Sequence, residues 1–169
     1  MKRTSPVRLR SVLVLACLLA GLPAAAETLL LVVQDGANSK PLPLPSAVRE
    51  GLTGDLFDAG YIVLDAPTST PFPEAAELSQ LARSAGADFV VAVVTDYTDT
   101  PLRLDYVRIT ARTAYSLIDA ATSVVIAHGT RNATNKDRER DVTRTILGAE
   151  IGRDVAAQVK AFLEGRPSG

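Results

Sequence analysis

Tryptophan is absent from this 169-residue chain, and cysteine and histidine occur once each, as Cys17 and His128. A disulfide framework needs paired cysteines, so that class is excluded. A Cys/His metal centre needs several such ligands at short spacing, and one of each supplies none. There is no excess of positive charge either: 18 Lys plus Arg stand against 19 Asp plus Glu, a formal net of -1. Nucleic-acid binders are usually basic, so no nucleic-acid partner is expected. Disorder is excluded by the 47% hydrophobic content, which is ample for a core.

What is present begins with an export pattern. Lys2, Arg3, Arg8 and Arg10 form a cationic start, Val12 to Leu22 is a short apolar run, and Pro23-Ala24-Ala25-Ala26 offers the small residues read by a signal peptidase. Residues 1–26 are therefore expected to be a signal peptide cleaved after Ala26, which places the mature chain in the periplasm. The apolar run is shorter than the roughly 20 residues that span a bilayer, so no membrane span is expected after cleavage. The alternative is a membrane-anchored lipoprotein held through Cys17, because Val14-Leu15-Ala16-Cys17 faintly resembles a lipobox. Two features oppose it: Leu15 is large, and the apolar run continues past Cys17 to Leu22.

Cleavage changes the charge. The leader holds four positive and no negative residues, which leaves 14 positive and 19 negative in the mature chain, a net of -5. That chain has no cysteine, so packing alone must stabilise it.

Residues 27–165 read as a single α/β domain, with 166–169 as a disordered tail. Thr28 to Gln34 is a continuous apolar run, the signature of a strand covered on both faces. Asp35 to Lys40 reads as a turn, and Pro41, Pro43 and Pro45 keep the chain extended until Ser46 can cap a helix. Val48, Leu52, Leu56 and Ala59 line one face of that helix, which ends at Gly60. Tyr61 to Leu64 is a second strand. Ala75, Leu78, Leu81, Ala82 and Ala85 form a second helical stripe, closed by Gly86, and Phe89 to Val94 is a third strand.

After Asp96 the pattern alternates. Val107, Ile109, Ala111, Thr113, Tyr115 and Leu117 define a buried face and Arg108, Thr110, Arg112, Ala114 and Ser116 a wet one. Leu102, Leu104 and Tyr106 alternate in the opposite phase, which predicts a β-bulge near Tyr106 and Val107. Asp119 to Thr122 is a turn and Val124 to His128 the last strand. A final helix carries Val142, Ile146, Ile151, Val155, Val159 and Phe162 on its stripe, with Gly148 and Gly152 allowing close approach to a neighbour. The order β-α-β-α-β-β-β-α predicts a three-layer domain: a mixed five-stranded sheet, order 2-1-3-4-5, with helices on both faces.

Three segments carry a family resemblance. They are Gly51-Leu-Thr-Gly-Asp-Leu-Phe-Asp-Ala-Gly-Tyr-Ile-Val-Leu-Asp65, Leu81-Ala-Arg-Ser-Ala-Gly-Ala-Asp-Phe-Val-Val91 and Ala114-Tyr-Ser-Leu-Ile-Asp-Ala-Ala-Thr-Ser-Val-Val125. Together they resemble a bacterial envelope α/β domain found in curli-secretion lipoproteins, lipoprotein activators of penicillin-binding proteins, a flagellar assembly protein and the amino end of the Tol propeller protein. The resemblance implies a partner-binding or assembly module, not an enzyme. It implies another envelope protein as partner and leaves a homo-oligomer open. The residues themselves read as structural: Gly60 and Gly86 end helices, Asp88 enters a strand and Asp119 shapes a turn.

No catalytic, cofactor-binding or metal-binding set emerges, and no cofactor is expected. Ser/His chemistry needs a base and an orienting acid, but His128 sits in His128-Gly129-Thr130 on an expected edge strand and no Gly-x-Ser-x-Gly elbow exists. Gly36 to Lys40 lacks the phosphate-loop spacing. Arg131, Lys136, Arg138, Arg140 and Arg144 are interleaved with Asp137, Glu139 and Asp141, a solvated face rather than a basic patch. The sequon Asn132-Ala133-Thr134 is discounted in a chain with a bacterial leader. One concave location remains, at the carboxyl ends of the first and third strands, where Asp35, Asn38, Asp96 and Asp99 are candidates for a small polar ligand or a divalent cation.

Overall fold

The computed structural model describes residues 26–38, 40–42, 46–67, 71–102, 106–137 and 140–166. Cys17 and nearly all of the leader lie outside them. Strands β1 (Thr28–Ala37), β2 (Lys40–Pro41), β3 (Ile62–Asp65), β4 (Phe89–Pro101), β5 (Val107–Asp119) and β6 (Val125–Asp137) form one sheet with helices α1 (Ala47–Asp58), α2 (Ala75–Ala85) and α3 (Arg140–Glu164). The class is α/β, as expected. β1 pairs in parallel with β3 and β4, while β4, β5 and β6 form an antiparallel meander. The five longer strands therefore lie in the expected succession, but the sheet has six. The additional strand is β2, which pairs with Gly36 and Ala37 beyond the end of β3. Asp35 to Lys40, expected as a turn, is instead the end of β1 and a tight return through Asn38 at φ 51°.

Alternation along the strands sends side chains to two cores. Leu29, Leu31 and Val33 of β1, Phe89, Val91, Val93 and Tyr97 of β4, and Val107 to Leu117 of β5 pack under α1 and α3. Leu30, Val32, Val90 and Ala92 pack under α2 with Leu78 and Ala82. At about 25 cal/mol per Å² of apolar area removed from water, these burials dominate the stability. The α2 layer covers only the lower part of its face, so Val94, Thr98, Arg112, Ala114, Thr130 and Asn132 stay exposed above it.

Local signals behave as their chemistry dictates. The Ser46 hydroxyl accepts from the Arg49 amide at 3.1 Å and starts α1. Gly86 ends α2 in the left-handed region at φ 74°, which a side chain would disfavour. The Asp119 carboxylate accepts from the Thr122 amide and hydroxyl, both at 2.8 Å. These bonds hold its carboxyl below the ordinary value in a turn otherwise open to water.

Four expectations are corrected. The bulge falls between Leu117 and Ile118 rather than at Tyr106; Tyr106 precedes β5 and its carbonyl accepts from the Leu102 amide, while Leu104 lies outside the described residues. Ala59, Leu81 and Ala85 are exposed, and Ser79 is buried in place of Leu81, its hydroxyl bonded back to the Ala75 carbonyl at 2.8 Å. On α3 the buried row is Thr143, Leu147, Ile151, Val155 and Val159, while Val142 and Ile146 are 48% and 45% exposed. Arg166, assigned to a disordered tail, is held: it pairs with Glu27 at 2.6 Å and lies 4.4 Å above the Phe89 ring.

The phase of α3 follows from its glycines. A Cβ on Gly152 would collide with the Val48 carbonyl and the Leu52 amide, and one on Gly51 with the Ala149 carbonyl. The two helices therefore cross backbone to backbone, and that contact turns Leu147 inward and Ile146 out.

Candidate functional site

The four residues proposed for a crevice do not converge. Asp35 and Asp99 alternate in phase with Val33 and Tyr97 and so lie on the α1/α3 face. Asp96 lies on the opposite face, over Gly36, where an added Cβ would come within 3.3 Å of its carboxylate. Asn38 is exposed in the return, its amide donating to the Tyr97 carbonyl at 2.9 Å. The sheet itself separates Asp96 from Asp35 and Asp99. Among the described residues no group of three His, Cys, Asp or Glu side chains is placed to hold a metal ion.

On the α1/α3 face, Asp35 and Asp99 belong to a polar girdle between the sheet and the helix starts. Arg144 of α3 donates to Asp99 of β4 at 2.5 Å, with the two side chains 15% and 10% exposed. Arg49 of α1 donates to Asp65 at 2.7 Å and to the Val33 carbonyl at 3.1 Å, bridging the ends of β1 and β3. Thr95 and Thr113 share a buried hydroxyl bond of 2.9 Å. Burial pushes the Tyr97 phenol well above its ordinary value, the Asp35 charge adding to the effect and Arg144 opposing it. These are partners fastening elements to one another, and the geometry offers them a structural task.

Burial also raises the Asp35 carboxyl above its ordinary value, against smaller opposing effects of the Ser46 hydroxyl and the Arg49 charge. Asp35 thus binds its proton more tightly folded than unfolded. Its contribution to stability is full below the ordinary carboxylate range and is lost as pH rises through the raised value. Asp35→Asn is expected to raise the thermal midpoint near neutral pH and to lose that advantage in acid. Midpoints measured across this range by circular dichroism check it; an equal gain at every pH would contradict it.

The other feature is the free side of β6. Among the described residues this thirteen-residue strand pairs only with β5 and ends the sheet. Its outward-turned residues His128, Thr130, Asn132 and Thr134 are exposed. On the inward side Ala127, Gly129 and Ala133 are small. Tyr115 of β5 lies flat against Gly129, where an added Cβ would sit 2.6 Å from the phenol oxygen. Beside this edge, Tyr115, Leu117, Ala127 and His128 from the sheet and Gln158, Val159, Ala161 and Phe162 from α3 line a groove of about 330 Å³. His128, which the sequence placed on an edge strand, is exposed on that strand at the rim of the groove. Arg131 is half-buried, its guanidinium donating to the Thr130 carbonyl at 3.2 Å. The sequence placed the edge but made it short, because the second half of β6, Arg131 to Asp137, is almost entirely polar and reads as loop.

Among the described residues no helix is long and apolar enough to cross a membrane. The fold recurs in solved bacterial structures. The PelC dodecamer from Paraburkholderia phytofirmans is similar with a TM-score of 0.56 at 15% identity, over 78% of this chain and 87% of its own. A hypothetical protein from Chlamydia trachomatis gives 0.55 at 16% identity, over 84% of this chain and 100% of its own. A DUF330 protein from Xanthomonas campestris gives 0.50 at 10% identity, over 85% and 91%. At such identities the likeness is one of fold, and it is the α/β fold that the envelope-domain resemblance implied. No family model and no curated sequence matches the chain.

Proposed function

We propose that this chain is an exported, non-catalytic contact module of the bacterial cell envelope, working in the periplasm through the β6 edge and the groove beside it. The observation that carries the reading is the edge itself: a thirteen-residue strand that, among the described residues, has a strand neighbour on one side only, next to a mainly apolar groove. Long strand edges are ordinarily shortened, bulged or covered, because their unpaired amides and carbonyls recruit other chains. An extended partner can add to such an edge through main-chain hydrogen bonds while its alternate side chains enter an adjacent pocket. The leader pattern of residues 1–26 supports export, and a neighbour in fold described as a dodecamer supports assembly as a use of this scaffold. Cleavage after Ala26 would free the domain in the periplasm; acylation at Cys17 would tether it to a membrane.

A photo-crosslinking residue placed at Asn132 on β6 tests the reading in living cells, with the same residue at Glu77 on α2 as the comparison. Discrete adducts from Asn132 in the periplasmic fraction, and none from Glu77, are expected. Adducts from Glu77 alone, or a protein retained in the cytoplasm, would overturn it.

A further inference from the structure

The β6 edge and the groove are complementary to each other once the molecule is rotated by half a turn. α3 runs antiparallel to β6: its start follows Asp137, whereas Phe162 lies beside Ala127 at the beginning of the strand. Near the start of α3, Ile146 and Val142 are large apolar side chains about half exposed. Ile146 lies about 160° around the helix from Gly148 at 100° per residue, so it points away from α1 and toward the free side of β6. One element thus carries an apolar projection at one end and an apolar recess at the other.

Their spacing matches the strand. From the centre of the groove near residue 160 back to Ile146 is fourteen residues of α3, about 21 Å of helix. That length is about six residues of strand. Counted from Ala127 and His128 in the groove, it reaches the level of Ala133 and Thr134, and the midpoint falls at Thr130 and Arg131. A two-fold axis through that midpoint carries the projection of one copy onto the recess of another.

Strand pairing selects the register. With the axis at Thr130, Ala127 opposes Ala133, His128 opposes Asn132, Gly129 opposes Arg131 and Thr130 opposes itself, so no like charges meet. With the axis at Arg131, two guanidinium groups would stand directly opposite each other, a repulsive pair. On the inward face the small residues Ala127, Gly129 and Ala133 leave room above the joined strands on either side of Arg131.

We infer that β6 pairs antiparallel with β6 of a second copy about a two-fold axis at Thr130, and that Ile146 and Val142 of each copy seat in the groove of the other. This rests on the reading of the β6 edge as the contact surface and names its occupant. The interface is isologous, with every contact made twice, and the sheet runs on through both copies.

Sedimentation equilibrium of the purified exported protein tests it, with circular dichroism showing that each variant is folded. The wild type is expected at twice the chain mass. Thr130→Lys and Thr130→Glu, which each set a charge against its own copy, are expected at the single-chain mass, and an equimolar mixture of the two is expected to regain the doubled mass. Ile146→Asp, at an exposed position, is expected at the single-chain mass too. A wild type at single-chain mass in the tens of micromolar, a folded variant that keeps its partner, or a mixture that stays apart would each overturn the inference. A single-chain protein that still gives Asn132 adducts in cells overturns self-pairing alone. A doubled mass in solution with the protein retained in the cytoplasm of cells upholds self-pairing and overturns the envelope reading.

Discussion

Gly152→Ala is expected to lower the thermal midpoint by roughly 10 °C, the shift that a loss of about 3 kcal/mol produces in a domain of this size. The cause is that the new methyl meets the Val48 carbonyl and the Leu52 amide of α1, main-chain atoms with no rotamer to change. The helices must then part, and the apolar rows of Val48, Leu52, Leu147, Ile151 and Val155 lose contact along their length. Gly54→Ala is the matched comparison: it lies on the exposed side of α1 with nothing within 4 Å of an added Cβ. There the loss of unfolded-state freedom dominates, and a gain of about 0.5–1 kcal/mol is expected. Midpoints from circular dichroism at one pH decide the matter; equal effects of the two substitutions would show that the helix crossing is not tight.

The Asp99–Arg144 pair should be comparably sensitive. Asp99→Ala leaves the Arg144 guanidinium, only 15% exposed, without the carboxylate that accepts from it. Removing one member of a buried pair costs about 3–5 kcal/mol, because the remaining charge loses its close counter-charge in a poorly solvating site. Replacing both, as Asp99→Leu with Arg144→Met, is expected to recover most of that loss, since well-packed apolar groups of similar volume often equal a buried ion pair. Urea midpoints for the single and double variants measure the difference. A double variant no better than Asp99→Ala would mean that the pair does more than satisfy its own charges.

Much of the scaffold was legible because single residues state it. The uninterrupted run from Thr28 to Val33 marks a strand between two layers, Ser46 and Gly86 mark helix ends, and the alternation from Val107 to Leu117 marks a strand with one wet face. Other features needed the tertiary partner. Residues 95–100 of β4 are polar in composition, yet only Thr95, Tyr97 and Asp99 face the core, so the strand continues far past the apolar run. The phase of α3 was misread because Val142 and Ile146 look more like core than Thr143 does; what orients the helix is the absence of side chains at Gly148 and Gly152. The crevice was placed by analogy with the switch point of doubly wound sheets. Here β1 and β4 stay hydrogen-bonded through Ala37 and Tyr97, so no gap opens and the alternation of the strands parts Asp96 from Asp35 and Asp99. The edge was legible from the expected strand order, but only over Val124 to His128; its polar continuation and the groove beside it carried no signal, because both depend on partners that only the folded chain supplies.

The ion pair between Glu27 and Arg166 fastens the segment just ahead of β1 to the one just behind α3, beside Phe89 at the base of the sheet. Chain leading into Glu27 and chain leading out of Arg166, whether a lipid tether ahead of β1 or a fused reporter behind α3, therefore meet the domain at the same pole. The far pole, where Pro101, Val107 and Asp137 stand in register, and the long flank of β6 remain unencumbered by that mooring.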